Sequence, residues 1–332
     1  MAESQRGNWR ADHKLQRPII ALPCRAAELL SLQNDAGWLK SATIRSLPPA
    51  VPLLDRLLAE LGEPAATVGR AALRLWGQTG HCPNGWVAAA DPVWMQAGLK
   101  NLCLHVPPAA DIEPAALRDL CRDLQQALLS DRGLTLDTQG VSAYLRGASP
   151  LPVAELPATS IDRADPAGFM PAFGDAAVAE YYALASELEM SLFAHPYNVL
   201  RESRGQKPLN ALWLWGGGAV SGTEPRALPV LFTDDALLRG FAAYSESRCA
   251  DWPGTLRECF AMTEGNFIAA PSELQAHQLP VLLAELRELW RKRKIHRVLI
   301  LFDDIACDLT RSWRRLFNFG VRKELEKILN EQ

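Results

Sequence analysis

The sequence lacks the features that mark several specialised classes of protein. Its seven cysteines are an odd number and include no C-x-x-C pair, which argues against a disulfide framework and against a thiolate zinc site. No run of about 18 apolar residues occurs, so no segment is expected to span a membrane. Neither sign of charge dominates, because 35 Lys and Arg residues stand against 38 Asp and Glu, for a net charge of −3. No global positive field is therefore available to attract nucleic acid.

The composition that remains is that of an ordinary globular protein. Hydrophobic residues make up 48% of the 332 residues and charged residues 22%, close to the average for folded domains. This length predicts one large or two ordinary domains. Residues 1–17 are polar and mixed in charge and are expected to form a flexible tail, and the apolar run Ile19–Leu22 is too short for a signal peptide. Because no disulfide framework is expected, the cysteines should be reduced. Together these features predict a cytoplasmic protein.

The hydrophobic pattern predicts an α/β core that is interrupted by an insert. Residues 18–83 are expected to form the first part of the core, with one short buried strand and two amphipathic helices, the second ended by Gly77 and Gly80. Residues 84–148 follow a β-β-α-β-β pattern, with Asp111 as the N-cap of the helix. We expect this stretch to form a small α+β insert.

The second half of the chain alternates between strand and helix patterns. Residues 149–174 hold five prolines and suit an ordered loop or linker. In residues 175–332, apolar strands alternate with amphipathic helices, which predicts a largely parallel sheet covered by helices as the second part of the core. A final helix is expected from Arg311 to Asn330.

A triple glycine, Gly216-Gly217-Gly218, follows a predicted strand and suggests a phosphate-binding loop. In such a loop, however, Thr223 and Glu224 would occupy the places of the Lys and the Ser or Thr, and a glutamate there would repel phosphates. We therefore expect the glycines to form a turn at the strand end that needs a positive φ.

A polar cluster lies where a predicted helix breaks at Pro196. His195, Asn198 and Arg201 supply an imidazole, an amide and a guanidinium, and these groups can converge on a small anion. In the alternative interpretation, His195 only caps the helix end.

Three further patterns carry less information. Glu273 and His277 are four residues apart and could contact a metal, but no third ligand is near them in the sequence. The basic run 291–294 ends a predicted helix, where cations complement the helix dipole, so we expect no nucleic-acid contact there. Trp313, followed by Arg314, fits a stacked anion site or an amphipathic helix that packs the indole inward.

The segment from Asn210 to Gly218, NALWLWGGG, resembles the corresponding segment of archaeal-type cofactor-independent phosphoglycerate mutases, members of the alkaline phosphatase superfamily. A larger block resembles the RpfE-type regulatory protein family of proteobacteria, through Glu187, Met190, His195-Pro196-x-Asn198, Arg201 and Gly205. Other segments agree in order, namely Ala90-Asp91-Pro92-Val93, Tyr144-Leu145-Arg146, Asp234-Asp235 to Gly240, and Thr310 to Arg315.

This resemblance implies an alkaline-phosphatase-like sheet covered by helices, with the small α+β insert at residues 84–148. Mutases of that superfamily hold two divalent ions in Asp and His clusters and use a Ser or Thr nucleophile. Here the first strand is followed by Pro23-Cys24 with no Asp-Gly, and Asp303-Asp304 after the last strand has no accompanying histidine. Trp94 also stands where the RpfE-type pattern has histidine. We therefore expect no catalytic residue, metal or cofactor.

These observations favour a non-catalytic, RpfE-type regulatory protein that binds a small anionic ligand or a protein partner, and that binds neither nucleic acid nor membrane. The expected ligand-binding residues combine cations, polar groups and an indole wall: Arg146, His195, Asn198, Arg201, Trp215 and Arg314. Two alternatives remain open. One is a metal-dependent phosphoglycerate mutase or phosphatase with unrecognised ligands. The other is a protein–protein scaffold with an exposed apolar patch beside residues 148–174.

Overall fold

The structure, a computed structural model, describes residues 17–26, 28, 42–48, 51–63, 67–99, 101–171, 176–221, 227–263, 265–275 and 277–311. The chain divides into two compact units. Unit 1 contains residues 1–64, 224–235 and 242–332, and unit 2 contains residues 65–223 and 236–241. None of the helices within the described ranges combines the length and the hydropathy that a membrane span requires.

Unit 1 is built on a seven-stranded sheet. Its strands are β1 (Ile19–Ala21), β2 (Thr43–Ser46), β8 (Val230–Thr233), β9 (Cys249–Ala250), β10 (Phe267–Ala270), β11 (Arg297–Leu301) and β12 (Ile305–Thr310). They lie in the order β2-β12-β11-β1-β10-β8-β9. The five strands from β11 to β9 run parallel, whereas β12 and β2 are antiparallel to their neighbours. The largely parallel sheet expected from the sequence is confirmed for this unit.

Helices supply the rest of the unit 1 core: α1 (Leu53–Leu61), α7 (Leu256–Thr263) and α8 (Gln278–Arg291). α1 buries one apolar face and ends at Gly62, whose φ of 74° lies in the left-handed region. All four residues of β10 are buried. Burial without alternation is expected of a parallel strand with both faces covered.

Unit 2 contains an antiparallel sheet. Its strands are β3 (Trp86–Ala97), β4 (Leu102–His105), β5 (Leu134–Gln139), β6 (Ser142–Gly147) and β7 (Ala211–Gly218). The long β3 pairs with β4, β6 and β7, and β5 is an edge strand that pairs with β6. Its helices are α2 (Arg70–Thr79), α3 (Pro114–Leu124), α4 (Ala176–Phe193), α5 (Pro196–Ser203) and the first part of α6 (Ala236–Tyr244). α3 begins at Pro114 after Glu113, so Asp111 is not its N-cap.

The boundaries expected from the sequence differ from this division. The sequence predicts an insert of residues 84–148 only, and it places residues 175–332 in the parallel core. In the structure, β7 pairs antiparallel with β3, with Ala90 opposite Leu214 and Val93 opposite Ala211. The apolar sequence of β7 fits either sheet, so hydrophobicity did not reveal which partner it takes. Residues 176–221 accordingly belong to unit 2.

The Pro-rich segment is part of unit 2 and does not act as a linker. Ala154 forms an isolated parallel bridge with Trp215, and the Leu156 carbonyl accepts a hydrogen bond from Trp213 Nε1 at 2.8 Å. The Leu104 amide donates to the Ala164 carbonyl at 3.0 Å. These contacts give the segment fixed partners, although its regular structure is limited to two short 3-10 helices, Ala158–Ile161 and Pro166–Phe169.

Close packing within unit 2 requires the glycines of β7. Gly216 has the expected positive φ, 64°, yet the strand continues through all three glycines instead of turning. A Cβ added to Gly218 would lie 2.7 Å from the Gly69 Cα, immediately before α2, and one on Gly217 would lie 2.8 Å from a Val153 methyl group. The approach of α2 and of neighbouring side chains therefore explains these glycines.

Gly77 has a similar role within α2, and so it does not end the helix as predicted. The helix runs on to Thr79 and is capped by Gly80 in the left-handed conformation. A Cβ on Gly77 would lie 1.9 Å from the Ala236 carbonyl oxygen, and one on Gly240 would lie 1.8 Å from the Leu73 carbonyl oxygen. The two glycines allow α2 and the first part of α6 to touch backbone to backbone.

Candidate functional site

A buried guanidinium joins α2 to three strands of unit 2. Arg74 donates to both carboxylate oxygens of Asp91, at 3.1 and 2.8 Å, and its Nε donates to the Tyr144 hydroxyl at 2.8 Å. Trp215 Nε1 donates to the same Asp91 carboxylate at 2.6 Å. The Tyr144 hydroxyl in turn donates to Gln78 Oε1 at 2.6 Å. The strands β3, β6 and β7 therefore meet α2 at one arginine and its partners.

The electrostatics of this network fix its charge state. Burial alone would lower the pKa of Arg74, but the nearby Asp91 carboxylate and Tyr144 outweigh burial and raise it. Burial raises the pKa of Tyr144 to about 12, so its hydroxyl stays protonated near neutral pH. The guanidinium also lies over the rings of Tyr144 and Trp215, at 4.8 and 5.1 Å from their centroids. Trp215 is thus held in a packed network.

His195 caps the start of α5. Its Nδ1 accepts the Tyr197 backbone N–H at 3.2 Å, so the ring proton belongs on Nε2, which lies 3.2 Å from Asp123 Oδ2 and donates to it. Both ring nitrogens are engaged. The capping interpretation is therefore the one that the geometry supports, at the start of α5 rather than at the end of α4.

Asn198 and Arg201 are each 2% exposed and bond mainly to the backbone. The Asn198 amide donates to the Leu192 and Leu209 carbonyls, at 2.7 and 3.0 Å, and accepts the Leu209 N–H at 2.8 Å. Arg201 donates to the carbonyls of Lys207, at 2.8 Å, and Asp111. Together these side chains hold the connection from α4 through α5 to β7.

Arg146 lines a cavity of about 520 Å³ between α3 and the edge strand β5. Arg118 and Arg122, one helical turn apart on α3, line it as well, and Asp137 on β5 supplies a carboxylate. The Arg146 Nε lies 3.3 Å from Asp137 Oδ2, but this buried atom has no hydrogen bond within the described ranges. Three arginines and one aspartate therefore line the cavity, and Arg122 also forms an ion pair with Asp119, which is not a lining residue.

The remaining wall of the cavity combines apolar and neutral polar groups. Leu75, Leu136 and Tyr144 supply apolar surface, and the threonines 135 and 138 supply hydroxyls. Burial raises the pKa of Cys121, which also lines the cavity, to about 12, so this thiol is not a nucleophile near neutral pH. The volume lies within the range of roughly 300–1,000 Å³ that is typical of small-molecule sites.

The edge of β5 is closed by a side chain. Gln125 opens a π-helical turn, Gln125–Leu129, at the end of α3. Its Nε2 donates to the Leu134 carbonyl at 2.9 Å, and its Oε1 accepts the Leu136 N–H at 2.7 Å. The amide thus takes the place of a neighbouring strand and blocks the pairing of another chain at these positions.

The resemblance to mutases implies two divalent ions, and the described residues do not fit such a centre. They contain no group of three or more His, Cys, Asp or Glu side chains that could hold a metal ion. Glu273 and His277 are both exposed and precede α8, so they do not share a helical face. At the ends of β1 and β11, Asp303 and Asp304 lie near the Arg56 guanidinium, a cation that competes with a metal.

The comparisons with known proteins give only distant matches. No family model matches the sequence, and no curated protein matches it. Five chains of solved structures do match. One is the cofactor-independent phosphoglycerate mutase from Thermoplasma acidophilum DSM 1728, 15% identical over 90% of each chain, with a TM-score of 0.41. Another is the PH0037 protein from Pyrococcus horikoshii, 12% identical over 89% of this chain and 87% of that one, with a TM-score of 0.48.

The predicted site residues have separate surroundings. His195, Asn198 and Arg201 belong to the α5 connection, Trp215 belongs to the Arg74 network, and Arg146 alone among them lines the cavity. Arg314 lies outside the described residues, as does the predicted terminal helix beyond Arg311. Three further lining residues, Arg118, Arg122 and Asp137, were not predicted. The i, i+4 spacing of the two arginines on α3 was the available signal in the sequence.

Proposed function

We propose that this protein is a non-catalytic, RpfE-type regulatory protein that binds a small anionic ligand in the cavity between α3 and β5. The observation that carries this proposal is the convergence of Arg118, Arg122 and Arg146 on one cavity that holds a single carboxylate, Asp137. Guanidinium groups bind carboxylates and phosphates through paired N–H donors. The Arg146 side chain is 38% exposed, so part of it is accessible to such a ligand.

The chemistry of the cavity favours binding over catalysis. Burial raises the pKa of the Cys121 thiol to about 12, so it is protonated near neutral pH, and the Asp137 carboxylate lies 3.3 Å from the Arg146 Nε. No histidine is among the described residues that line the cavity, and histidine is the side chain most often used for proton transfer near neutral pH. We infer that occupancy of the site, and not turnover, is the output of this protein.

The test is calorimetry and thermal unfolding with phosphate, pyrophosphate and citrate, against chloride at equal ionic strength. A ligand at 100 times its Kd should stabilise the protein by about 2.7 kcal/mol. Because a charged hydrogen bond contributes roughly 1.5–3 kcal/mol, Arg146→Met should weaken binding by about 10-fold or more. Arg291→Met, which removes an exposed arginine at the end of α8, is the matched control and should bind as wild type. If no anion stabilises the wild-type protein, the proposal fails.

The enzyme alternative has its own test. A metal-dependent phosphoglycerate mutase or phosphatase requires bound divalent ions, so elemental analysis of the purified protein should find about two metal ions per chain. Our proposal expects no stoichiometric metal. A stoichiometric pair of ions would instead support the enzyme.

The scaffold alternative expects an apolar patch beside the Pro-rich segment. Within the described part of that segment Leu151 and Ile161 are buried and the other large apolar residues are half-buried. The exposed large apolar side chains of unit 2 belong to other segments, α4 and α5 for example. Met190, Phe193 and Val199 are among them. The cavity therefore gives a more specific hypothesis than a docking surface does.

A further inference from the structure

The edge strand β5 leaves part of its backbone unpaired. The Gln125 amide bonds to the Leu134 carbonyl and the Leu136 N–H, which point away from β6. Because the backbone groups of an antiparallel strand point alternately toward and away from its partner, the next outward groups along β5 are the Leu136 carbonyl and the Thr138 N–H. Among the described residues no second strand pairs with β5, and no other hydrogen bond takes up these two groups.

The cavity between α3 and β5 lies along this unpaired stretch. Leu136 and Thr138 line it from the strand, and Arg118 and Arg122 line it from α3. Both arginines are exposed. Arg122 forms an ion pair with Asp119, whereas Arg118 has no ion pair within the described ranges. A cation without a counter-charge therefore lines the same cavity as the unpaired backbone groups.

These two features together define the chemistry of a ligand. The Thr138 N–H and the Arg118 guanidinium donate hydrogen bonds, so they fit a carbonyl and a carboxylate. The Leu136 carbonyl only accepts, so it needs an N–H or O–H donor, which a carboxylate does not supply. An extended peptide meets all three requirements, since its backbone carries N–H and C=O groups at the spacing of a strand and its side chains can carry the negative charge.

We propose that the anionic ligand of this cavity is a short acidic peptide, which pairs with residues 136–138 of β5 and places a carboxylate side chain beside Arg118. Because the peptide occupies the same cavity, its assignment rests on the proposed function and specifies the class of ligand. Gln125 closes the edge before Leu136, and β5 ends at Gln139, so the pairing covers about three peptide residues. Backbone hydrogen bonds hold the peptide, and the arginines select its acidic side chains.

The test is calorimetry of the full-length protein at constant ionic strength with tri-glutamate, acetylated and amidated at its ends. Citrate carries three carboxylates without a peptide backbone, tri-glutamine carries the backbone without charge, and tri-glutamate with methylated backbone nitrogens lacks the N–H donors. Two backbone hydrogen bonds, each worth about 2–10-fold in affinity, should make tri-glutamate bind roughly 10-fold more tightly than citrate. Tri-glutamine should bind much more weakly, and the methylated peptide should fall to the affinity of citrate.

The outcomes separate this inference from the proposed function. If citrate binds and tri-glutamate binds no more tightly, or if methylation of the backbone leaves the affinity unchanged, the cavity takes anions but no peptide strand, and only the present inference fails. If neither citrate nor tri-glutamate binds, the proposed function fails with it.

A pair of variants tests the strand itself. Thr138→Pro removes the outward N–H, which is a position where an edge strand accepts proline, and Thr138→Val removes the hydroxyl but keeps the N–H. Thr138→Pro should bind tri-glutamate about 2–10-fold more weakly than Thr138→Val does, while the two variants should bind citrate equally. Equal affinities of the two variants for tri-glutamate would overturn the proposal. If Thr138→Pro does not fold, the methylated peptide tests the same hydrogen bonds from the side of the ligand.

Discussion

Arg74 shows how much of the unit 2 structure depends on a single side chain. It brings together Asp91 of β3, Tyr144 of β6 and, through Asp91, Trp215 of β7. Each of these residues lies on a different strand of the unit 2 sheet. A network with satisfied partners in a low-dielectric interior is rigid, and it is disrupted when one partner is removed. These residues therefore act mainly to position the strands.

The residue-scale prediction concerns Asp91. Asp91→Asn leaves the Arg74 guanidinium largely buried beside a neutral amide, and loss of one partner from such a pair should destabilise the protein by roughly 3 kcal/mol. Urea unfolding followed by far-ultraviolet circular dichroism measures the difference. Asp131→Asn, an exposed position after the π-helical turn, should change stability by less than about 0.5 kcal/mol. Equal free energies of unfolding for the two variants would contradict the role of the network.

Asp303 gives a prediction for pH. Burial raises its pKa above the ordinary value, opposed by Arg56 and supported by Asp304. A raised carboxyl pKa favours the protonated folded form, so this contribution to stability is present at acidic pH and is lost as pH rises through the folded pKa. Asp303→Asn should therefore be at least as stable as wild type at neutral pH. Urea unfolding at a series of pH values should show that the advantage of the variant shrinks on acidification, and a growing advantage would refute this account.

At the scale of elements, glycine sets how closely helices approach one another and the sheet. Gly77 and Gly240 allow α2 to touch the first part of α6, and Gly69 and Gly218 allow the start of α2 to touch β7. In the sequence these glycines predict helix ends or turns, because a close contact between backbones that are distant in the chain leaves no local sequence pattern. That is why Gly77 was expected to end α2 and why the triple glycine was expected to turn the chain.

Gly240→Ala tests this packing. The Cβ of the alanine would lie 1.8 Å from the Leu73 carbonyl oxygen, so the two helices must separate. We expect the free energy of unfolding to fall by about 1–3 kcal/mol or more. The control is Gly168→Ala, where an added Cβ meets nothing within 4 Å and φ is not positive. Differential scanning calorimetry should show a lower unfolding temperature for Gly240→Ala and little change for Gly168→Ala. A wild-type unfolding temperature for Gly240→Ala would show that the contact is not tight.

For the molecule as a whole, the sequence predicts the elements better than their assembly. The short strand that begins at Ile19, the two helices before residue 83 and the β-β-α-β-β order of residues 84–148 agree with the predicted pattern. The sequence predicts neither β12 nor its neighbour β2 at the edge of the sheet, and it assigns β7 to the parallel core although β7 pairs with β3. Periodicity reports which face of an element is buried, but it does not report the partner.

For the candidate site as well, the sequence predicts single residues better than it predicts which residues lie together. The sequence identified Arg146 but grouped it with α5 residues that hold the backbone, since chemical type alone does not distinguish a ligand-binding guanidinium from a structural one. The structure adds Arg118, Arg122 and Asp137 to the site. Their position depends on the register of β5 with β6 and on the packing of α3, and the sequence does not reveal either.

The most direct test of the central claim is an NMR titration of the arginine Nε–H signals of the full-length protein with inorganic phosphate, at constant ionic strength. The signal of Arg146, assigned by its loss in Arg146→Met, should shift and saturate with the same Kd that calorimetry gives. If calorimetry detects binding while the Arg146 signal stays fixed, the anion binds elsewhere and the cavity between α3 and β5 is not its site.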